Sequence, residues 1–169
     1  LGMEHQTLVA YGAKFEDNEF GFDGLLLHET AHEWWGNKVS ARDWADFWIQ
    51  EGFATYSEAV FVLDTLGEDR YLEFMARLAR RTRNRTPLVQ GDDLTAAAAY
   101  TGDIYGKGAC VLNTLKWLLG DEAFFAALAR FAADAPYAYG LVETEDFERL
   151  VAELHGREIP WFWQRYLRR

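Results

Sequence analysis

Apolar residues recur at helical spacing through most of this chain. From Phe22 to Trp35 the pattern predicts a helix, with Asp23 placed to cap its start and Gly36-Asn37 to end it. A linker around Val39 to Asp43 leads to a second, long helix over 46–66, closed by Gly67. Tyr71, Phe74, Met75 and Leu78 fall on one face and predict a third helix over 68–84. The stretch TPLVQGDDL reads as a loop. Four more helices are predicted over 103–119, 121–133, 144–155 and 160–168, punctuated by Gly120, Pro136, Gly156 and Pro160. Only residues 6–15, QTLVAYGAKF, are rich in extended-chain formers and read as a strand, followed by the polar, glycine-punctuated loop EDNEFGFDG. A lone strand is not a stable sheet. The pattern therefore predicts a mainly α fold with a small β remnant, an α+β domain whose strand needs partners this chain does not obviously supply. Leu26, Leu27, Trp34, Phe53, Ala54, Val60, Phe61, Leu112, Leu115 and Phe131 are the expected core, and Trp35, Trp44 and Trp48 are read as core as well.

Composition narrows the function more than the fold. A chain of 169 residues fits one domain. Its formal net charge of -10 argues against nucleic acid or an anionic membrane as the main partner. The basic run Arg77, Arg80, Arg81, Arg83 and Arg85 reads as a solvated helix face and its exit. Cys110 is the one cysteine, so neither an internal disulfide nor a cysteine-rich metal site is available, and it is expected to be a small buried residue. No apolar stretch reaches the roughly 18 residues that a membrane span needs. No signal segment is visible and the chain begins at Leu1. The compartment is left open, with cytoplasm ranked ahead of periplasm or secretion.

The candidate chemistry sits in HETAHEWWG, residues 28–36. On a helix, side chains four apart share a face, so His28 and His32 can reach one metal ion. Neutral imidazole is a common zinc ligand. Glu29 projects about 100° around the helix and stays free beside the metal, where a carboxylate can act as general base. Catalytic zinc usually has three protein ligands and an open position. The extended three-histidine pattern fails here, because Trp35 and Lys38 stand where its glycine and third histidine would be. A carboxylate is therefore sought. Glu51, in WIQEGFATY early in the second helix, can meet both histidines if the two helices pack antiparallel. Glu33 lies on the wrong side of its own helix, and Asp46 reads as an N-cap.

These residues carry a family resemblance. H-E-x-x-H, then eighteen residues and Glu51 within WIQEGFATY, resembles the gluzincin aminopeptidases, the family of aminopeptidase N and leukotriene hydrolase. LGMEH at 1–5 resembles that family's G-x-M-E-N segment, with His5 in place of asparagine, and IYGKGACVL at 104–112 resembles its Y-x-K-G segment. The resemblance implies a thermolysin-like zinc metallopeptidase catalytic domain, incomplete at its N-terminal side. It divides into residues 1–21, with the strand, the loop and the G-x-M-E segment, and a helical part at 22–169 carrying the zinc site. It implies one zinc ion per chain on His28, His32 and Glu51, with Glu29 as general base. It implies Tyr105 as hydrogen-bond donor to the oxyanion, Glu4 as acceptor for the substrate's α-ammonium, and Gly2 and Met3 beside the substrate. The implied partners are peptides with a free N-terminus and an N-terminal β domain of the parent chain, which would supply a second glutamate for the amine.

Three other functions stay open at this level. A thermolysin-like endopeptidase would have no use for an amine anchor at Glu4. A non-catalytic zinc-binding relative would be expected to have lost ligands or base, all of which stand here. A lipid-epoxide hydrolase has no sequence feature in its favour. Glu58, seven positions after Glu51, is a candidate to hold the second nitrogen of a zinc-binding histidine, weighed evenly against a plain surface glutamate. Lys107 and Gly108 read as packing and turn residues.

Overall fold

The computed structural model describes residues 1–91 and 94–169; Asp92 and Asp93 of the predicted TPLVQGDDL loop lie outside the described residues. Helices dominate. They are α1 (Gly24–Ala31), α2 (Trp48–Leu66), α3 (Glu68–Arg81), α4 (Ala96–Ala99), α5 (Asp103–Leu119), α6 (Asp121–Ala133), α7 (Thr144–His155) and α8 (Pro160–Tyr166). Four short strands accompany them: β1 (Gly2–Met3) pairs antiparallel with β2 (Ala10–Tyr11), and β3 (Val39–Ala41) pairs parallel with β4 (Gly140–Val142). The mainly helical class with a small sheet remnant is as the pattern predicts.

The helix ends follow from local chemistry. Asp23 caps α1 by accepting from the Leu26 amide at 3.0 Å. Gly67 and Gly120 close α2 and α5 at φ 84° and 82°, a region where a side chain is strained. Glu143 and Asp146 form a reciprocal capping box at the start of α7.

Several expectations need correction. Residues 6–15 are not one strand. Thr7 takes φ 66°, the Leu8 amide bonds to the His5 carbonyl, and the chain reverses so that β2 returns to pair with β1. The remnant thus supplies its own partner. The β3–β4 pair went unseen because three-residue strands carry too little alternation to register. The first helix stops at Ala31, not Trp35, and the turns that follow carry Trp34 out of helical phase, leaving it 50% exposed. Leu26, Phe61 and Trp44 are exposed as well, whereas Trp35 and Trp48 are buried. Phe61 still covers Phe22 edge-on at 5.2 Å, so it is a lid on the core rather than part of it. Asp46 is no N-cap of α2. It reaches across to accept from the Thr144 amide and hydroxyl, at 3.0 and 2.7 Å, and so fastens the start of α2 to the start of α7. Cys110 is only partly buried.

The core runs between α2, α5, α6 and α7, where Phe53, Phe131 and Phe147 pack at ring separations of 5.0–5.9 Å. Its closest approach is between two glycines. A methyl group on Gly108 of α5 would lie 2.8 Å from the Gly52 Cα of α2, and one on Gly52 would lie 3.0 Å from the Gly108 Cα. Only residues without a Cβ let the two backbones meet there. Glu51 adjoins Gly52 in sequence, and Tyr105 lies three residues before Gly108, so this crossing sets how α2 and α5 present both side chains.

The start of α5 is fixed differently. Asp103 is buried, and its carboxylate accepts from the backbone amides of Asn84, Arg85 and Thr86 at 2.6–3.0 Å. Lys107, one turn on, donates to the carbonyls of Thr86 and Arg169. The 84–86 loop is thereby stitched to α5 by one anion and one cation.

Two outcomes test this frame. Gly108→Ala should lower the thermal unfolding midpoint, by about 1–3 kcal/mol of overpacking, even though alanine is the better helix former by about 1 kcal/mol; a raised midpoint would remove the crossing argument. Burial pushes the Asp103 carboxyl up, but the amides of Thr86, Arg85 and Asn84 outweigh it and hold it below its ordinary value. A depressed folded-state pKa means stability that is present above the unfolded pKa of about 3.9 and lost as pH falls through the folded value. Asp103→Ala should therefore cost about 1.5–3 kcal/mol at pH 7 and flatten the acid limb of stability against pH. Equal acid limbs in chemical denaturation of the two proteins would count against it.

Candidate active site

The site forms where β1, α1, α2 and α5 meet. His28 and His32 stand on successive turns of the helix and the turn that follows it, with rings 4.8 Å apart. The His28 and His32 Nε2 atoms lie 3.2 Å from each other, and each faces the same Glu51 oxygen, at 3.2 and 3.4 Å. Three donor atoms thus form a nearly equilateral triangle. Bonds of about 2.0–2.1 Å around a tetrahedral zinc put neighbouring donor atoms about 3.3–3.4 Å apart. The triangle fits that edge length with no rearrangement.

The outer nitrogens say how these rings are held. His32 Nδ1 lies 2.7 Å from the Trp35 carbonyl, which can only accept, so Nδ1 carries the proton. The neutral ring then turns its Nε2 lone pair into the triangle. His28 Nδ1 lies 3.1 Å from Glu58 Oε1, the arrangement that fixes ring and tautomer in metal sites. Burial pushes the His28 imidazole down, but hydrogen bonds to Glu51 and Glu58 override it and raise it to about 10. Burial likewise pushes Glu51 up, and the two histidines win, drawing it down to about 2. The two shifts are one mutual attraction between His28 and Glu51 seen from either side.

Glu29 points into the same space. It is 5% exposed, and its Oε2 is buried with no hydrogen-bond partner among the described residues. Burial raises its pKa, the two histidines lower it, and Glu4 and Glu51 raise it further; the net direction is up. Glu4, Glu29 and His32 form a second group of converging ligand atoms, all within 4.8 Å of one another. Gly2 lies directly on Glu29, because a Cβ at Gly2 would sit 2.1 Å from Glu29 Oε1. Met3 is 37% exposed at the edge. The Tyr105 ring centroid lies 5.9 Å from that of His28. Burial and the charge of Glu51 keep its hydroxyl protonated well above the usual tyrosine range.

Seven of the eight sequence-derived site residues, Gly2, Glu4, His28, Glu29, His32, Glu51 and Tyr105, therefore gather in one place, while Met3 follows only as the chain neighbour of Gly2 and Glu4. Others there had no sequence argument of their own. The Asn37 side chain donates to the Glu4 carbonyl at 3.0 Å and holds the β1 segment against the turn after α1; in the sequence it reads only as part of the stop that ends the first helix. The Trp35 carbonyl is a backbone group and leaves no side-chain signal. Glu33 is turned outward to the Thr7 amide, at 3.3 Å, and takes no part.

Comparison with known proteins agrees with this geometry. The peptidase family M1 domain matches residues 3–166. Endoplasmic reticulum aminopeptidase 2 of Homo sapiens is 31% identical over 121 residues, covering 67% of this chain and 13% of that protein. Aminopeptidase N of Streptomyces lividans is 28% identical, covering 84% of this chain and 18% of the relative. Among solved structures, the M1 zinc metallopeptidase of Deinococcus radiodurans superposes with a TM-score of 0.82 at 28% identity, over 99% of this chain and 36% of that one. Aminopeptidase A of Legionella pneumophila, in complex with aspartic acid, gives 0.71 at 27% identity, over 85% of this chain and 16% of that one. This chain spans less than a fifth of the length of these two curated relatives. The family match covers nearly every residue from the β1 segment to the last helix, and on it the chain belongs to the M1 family of zinc metallopeptidases.

Proposed function

We propose that this chain carries the active site of a zinc aminopeptidase that hydrolyses the first peptide bond of peptides with a free N-terminus. The observation that carries the reading is the triangle of His28, His32 and Glu51 donor atoms beside a buried, unpartnered Glu29 carboxylate. His28, His32 and Glu51 would hold one zinc ion. Zinc there supplies Lewis acidity, which polarises a carbonyl and makes water acidic enough to ionise near neutral pH.

The chain's own groups do the rest. Glu29 takes a proton from the attacking water and passes it to the departing amine. Its raised pKa moves it toward the range where a carboxylate can do both. Tyr105 keeps its proton and donates a hydrogen bond to the oxygen on which negative charge develops. Glu4 pairs with the substrate's α-ammonium, which sets the cut one residue from the end. A blocked amine leaves that carboxylate without a partner, and such a site rejects the analogue. Gly2 and Met3 border the first side chain, with Gly2 kept small by its contact with Glu29. Residues 1–21 and 22–169 act as one unit in this reading, because Glu4 from the first joins Glu29 and His32 from the second. A second carboxylate on the amine would come from an N-terminal β domain of the parent protein.

The zinc-loaded chain should release aniline from a leucyl anilide and leave its N-acetylated twin intact. Cutting both equally would point to an endopeptidase and remove Glu4 from its role. Glu29→Gln should reduce kcat by about 10²–10⁴-fold while leaving the zinc-induced rise in unfolding temperature in place. Loss of that rise would make Glu29 a ligand rather than a base. Tyr105→Phe should reduce kcat by about 10²–10³-fold with KM nearly unchanged. An effect confined to KM would mean that the hydroxyl binds substrate and not the developing charge.

A further inference from the structure

The hairpin that carries Glu4 is short. Its ladder has two residue pairs, Gly2 with Tyr11 and Met3 with Ala10, and stops at Met3. A two-stranded hairpin is marginal in water by itself. Residues 5–8 beyond the ladder are exposed, and the turn passes through Thr7 at φ 66°. Glu4 thus stands where such a hairpin begins to fray. It also stands close to a like charge. Glu4, Glu29 and His32 bring ligand atoms within 4.8 Å of one another, so two carboxylates share one corner of the site. Like charges repel at that range, and the more loosely held one gives way.

One side chain opposes both tendencies. Asn37 Nδ2 donates to the Glu4 carbonyl at 3.0 Å. Asn37 is in turn fastened to the metal site. Its backbone amide donates to the His32 carbonyl at 2.9 Å, and in the same turn the Trp35 carbonyl meets His32 Nδ1 at 2.7 Å. The turn at 33–37 therefore links a corner of the metal triangle to the carboxylate that would receive the amine. The link is short, one backbone hydrogen bond at one end and one side-chain amide at the other.

The span from amine anchor to metal decides where a peptide is cut. An α-ammonium and the carbonyl carbon of its own residue are two covalent bonds apart. One residue of extended chain covers about 3.3 Å. An anchor that drifts by that distance no longer brings the first carbonyl to the metal.

We propose that Asn37 is a positioning residue for recognition of the free N-terminus. Its hydrogen bond fixes the span between Glu4 and the triangle of His28, His32 and Glu51. The proposal rests on the aminopeptidase reading above.

The test compares ligands with and without the amine. Turnover of leucyl anilide and of its des-amino analogue, isocaproyl anilide, is measured on the zinc-loaded chain. Binding of leucinamide and of isocaproamide is measured by calorimetry on the zinc-loaded Glu29→Gln chain. Asn37→Ala should raise KM for leucyl anilide about tenfold with kcat nearly unchanged, and should shrink the advantage of the amine in binding by a similar factor. The zinc-induced rise in unfolding temperature should persist. Asn37→Gln keeps an amide on a longer arm and should keep part of the preference. In a Glu4→Ala background, Asn37→Ala should have no further effect on the preference, because it acts through Glu4. Glu33→Ala frees the Thr7 amide of the same hairpin and should leave the preference in place.

A preference that survives Asn37→Ala overturns the proposal and leaves the aminopeptidase reading standing. So does an equal loss in Glu33→Ala, which would mean a generally loosened hairpin, or a further loss in the Glu4→Ala background. Loss of the zinc-induced rise in both Asn37 variants also overturns it, and makes Asn37 a support of the metal site. If the natural chain cuts neither anilide while leucinamide binding still depends on the amine and on Asn37, the aminopeptidase reading fails and the positioning role stands. If no ligand gains from its amine, both fail.

Discussion

Two helices can touch backbone to backbone only where neither carries a side chain. In this protein that place is Gly52 against Gly108, and its consequences reach past packing. Glu51 immediately precedes one glycine, and Tyr105 stands three residues before the other. A Cβ on either residue would spread α2 from α5 by some fraction of an ångström. The distance between Tyr105 on α5 and Glu51 on α2 would change with it. The aromatic packing of Phe53, Phe131 and Phe147 holds the helices together from below, but it is tolerant of small shifts in a way the glycine contact is not.

The resulting site concentrates negative charge in a chain that is already acidic. Glu4, Glu29, Glu51 and Glu58 lie around two imidazoles. Burial pushes the His28 imidazole down, and the hydrogen bonds and charges of Glu51 and Glu58 override it. A divalent cation satisfies the same carboxylates with more charge and frees the imidazole lone pairs for ligation. The donor geometry fits the zinc that the proposed function places there.

Helix existence was legible in the sequence because it rests on periodicity and on glycine or proline stops. The limits of α5, α6 and α7 follow the pattern to the residue. The site was legible for a related reason: two histidines four apart need only one helix to be brought together. Glu51 was harder, since it depends on how α2 lies against α1, and the likeness to known aminopeptidases supplied what spacing could not. What stayed hidden was tertiary. The strand at 6–15 dissolved into a hairpin because one residue, Thr7, adopts a left-handed backbone conformation. Asp46 looked like a cap because nothing local reveals that Thr144 lies across from it. Trp34 was assigned to the core by extending a helical phase past the point where the helix ends. The role of Gly52 and Gly108 could not be read at all, since a glycine in a helix looks like a weakness until its neighbour is known.

The four glutamates make the general point about how such a site divides its labour. They are one residue type, and in the proposed function each takes a different task from what it touches. Glu51 faces both Nε2 atoms and is drawn down to about 2, so it stays an anion and suits a ligand. Glu58 meets only the outer nitrogen of His28 and orients that ring. Glu29 is buried against Gly2 with one oxygen unpartnered, and burial raises its affinity for a proton, which is the property a base needs if it must also give the proton back. Glu4 stands beyond Glu29, its segment pinned by Asn37, where it can hold a cation that is part of the substrate. Exchanging any two of these environments would leave the composition of the site unchanged and remove its chemistry. The information is therefore in the placement of β1, α1, α2 and α5 relative to one another, and for α2 and α5 that placement rests on the two glycines.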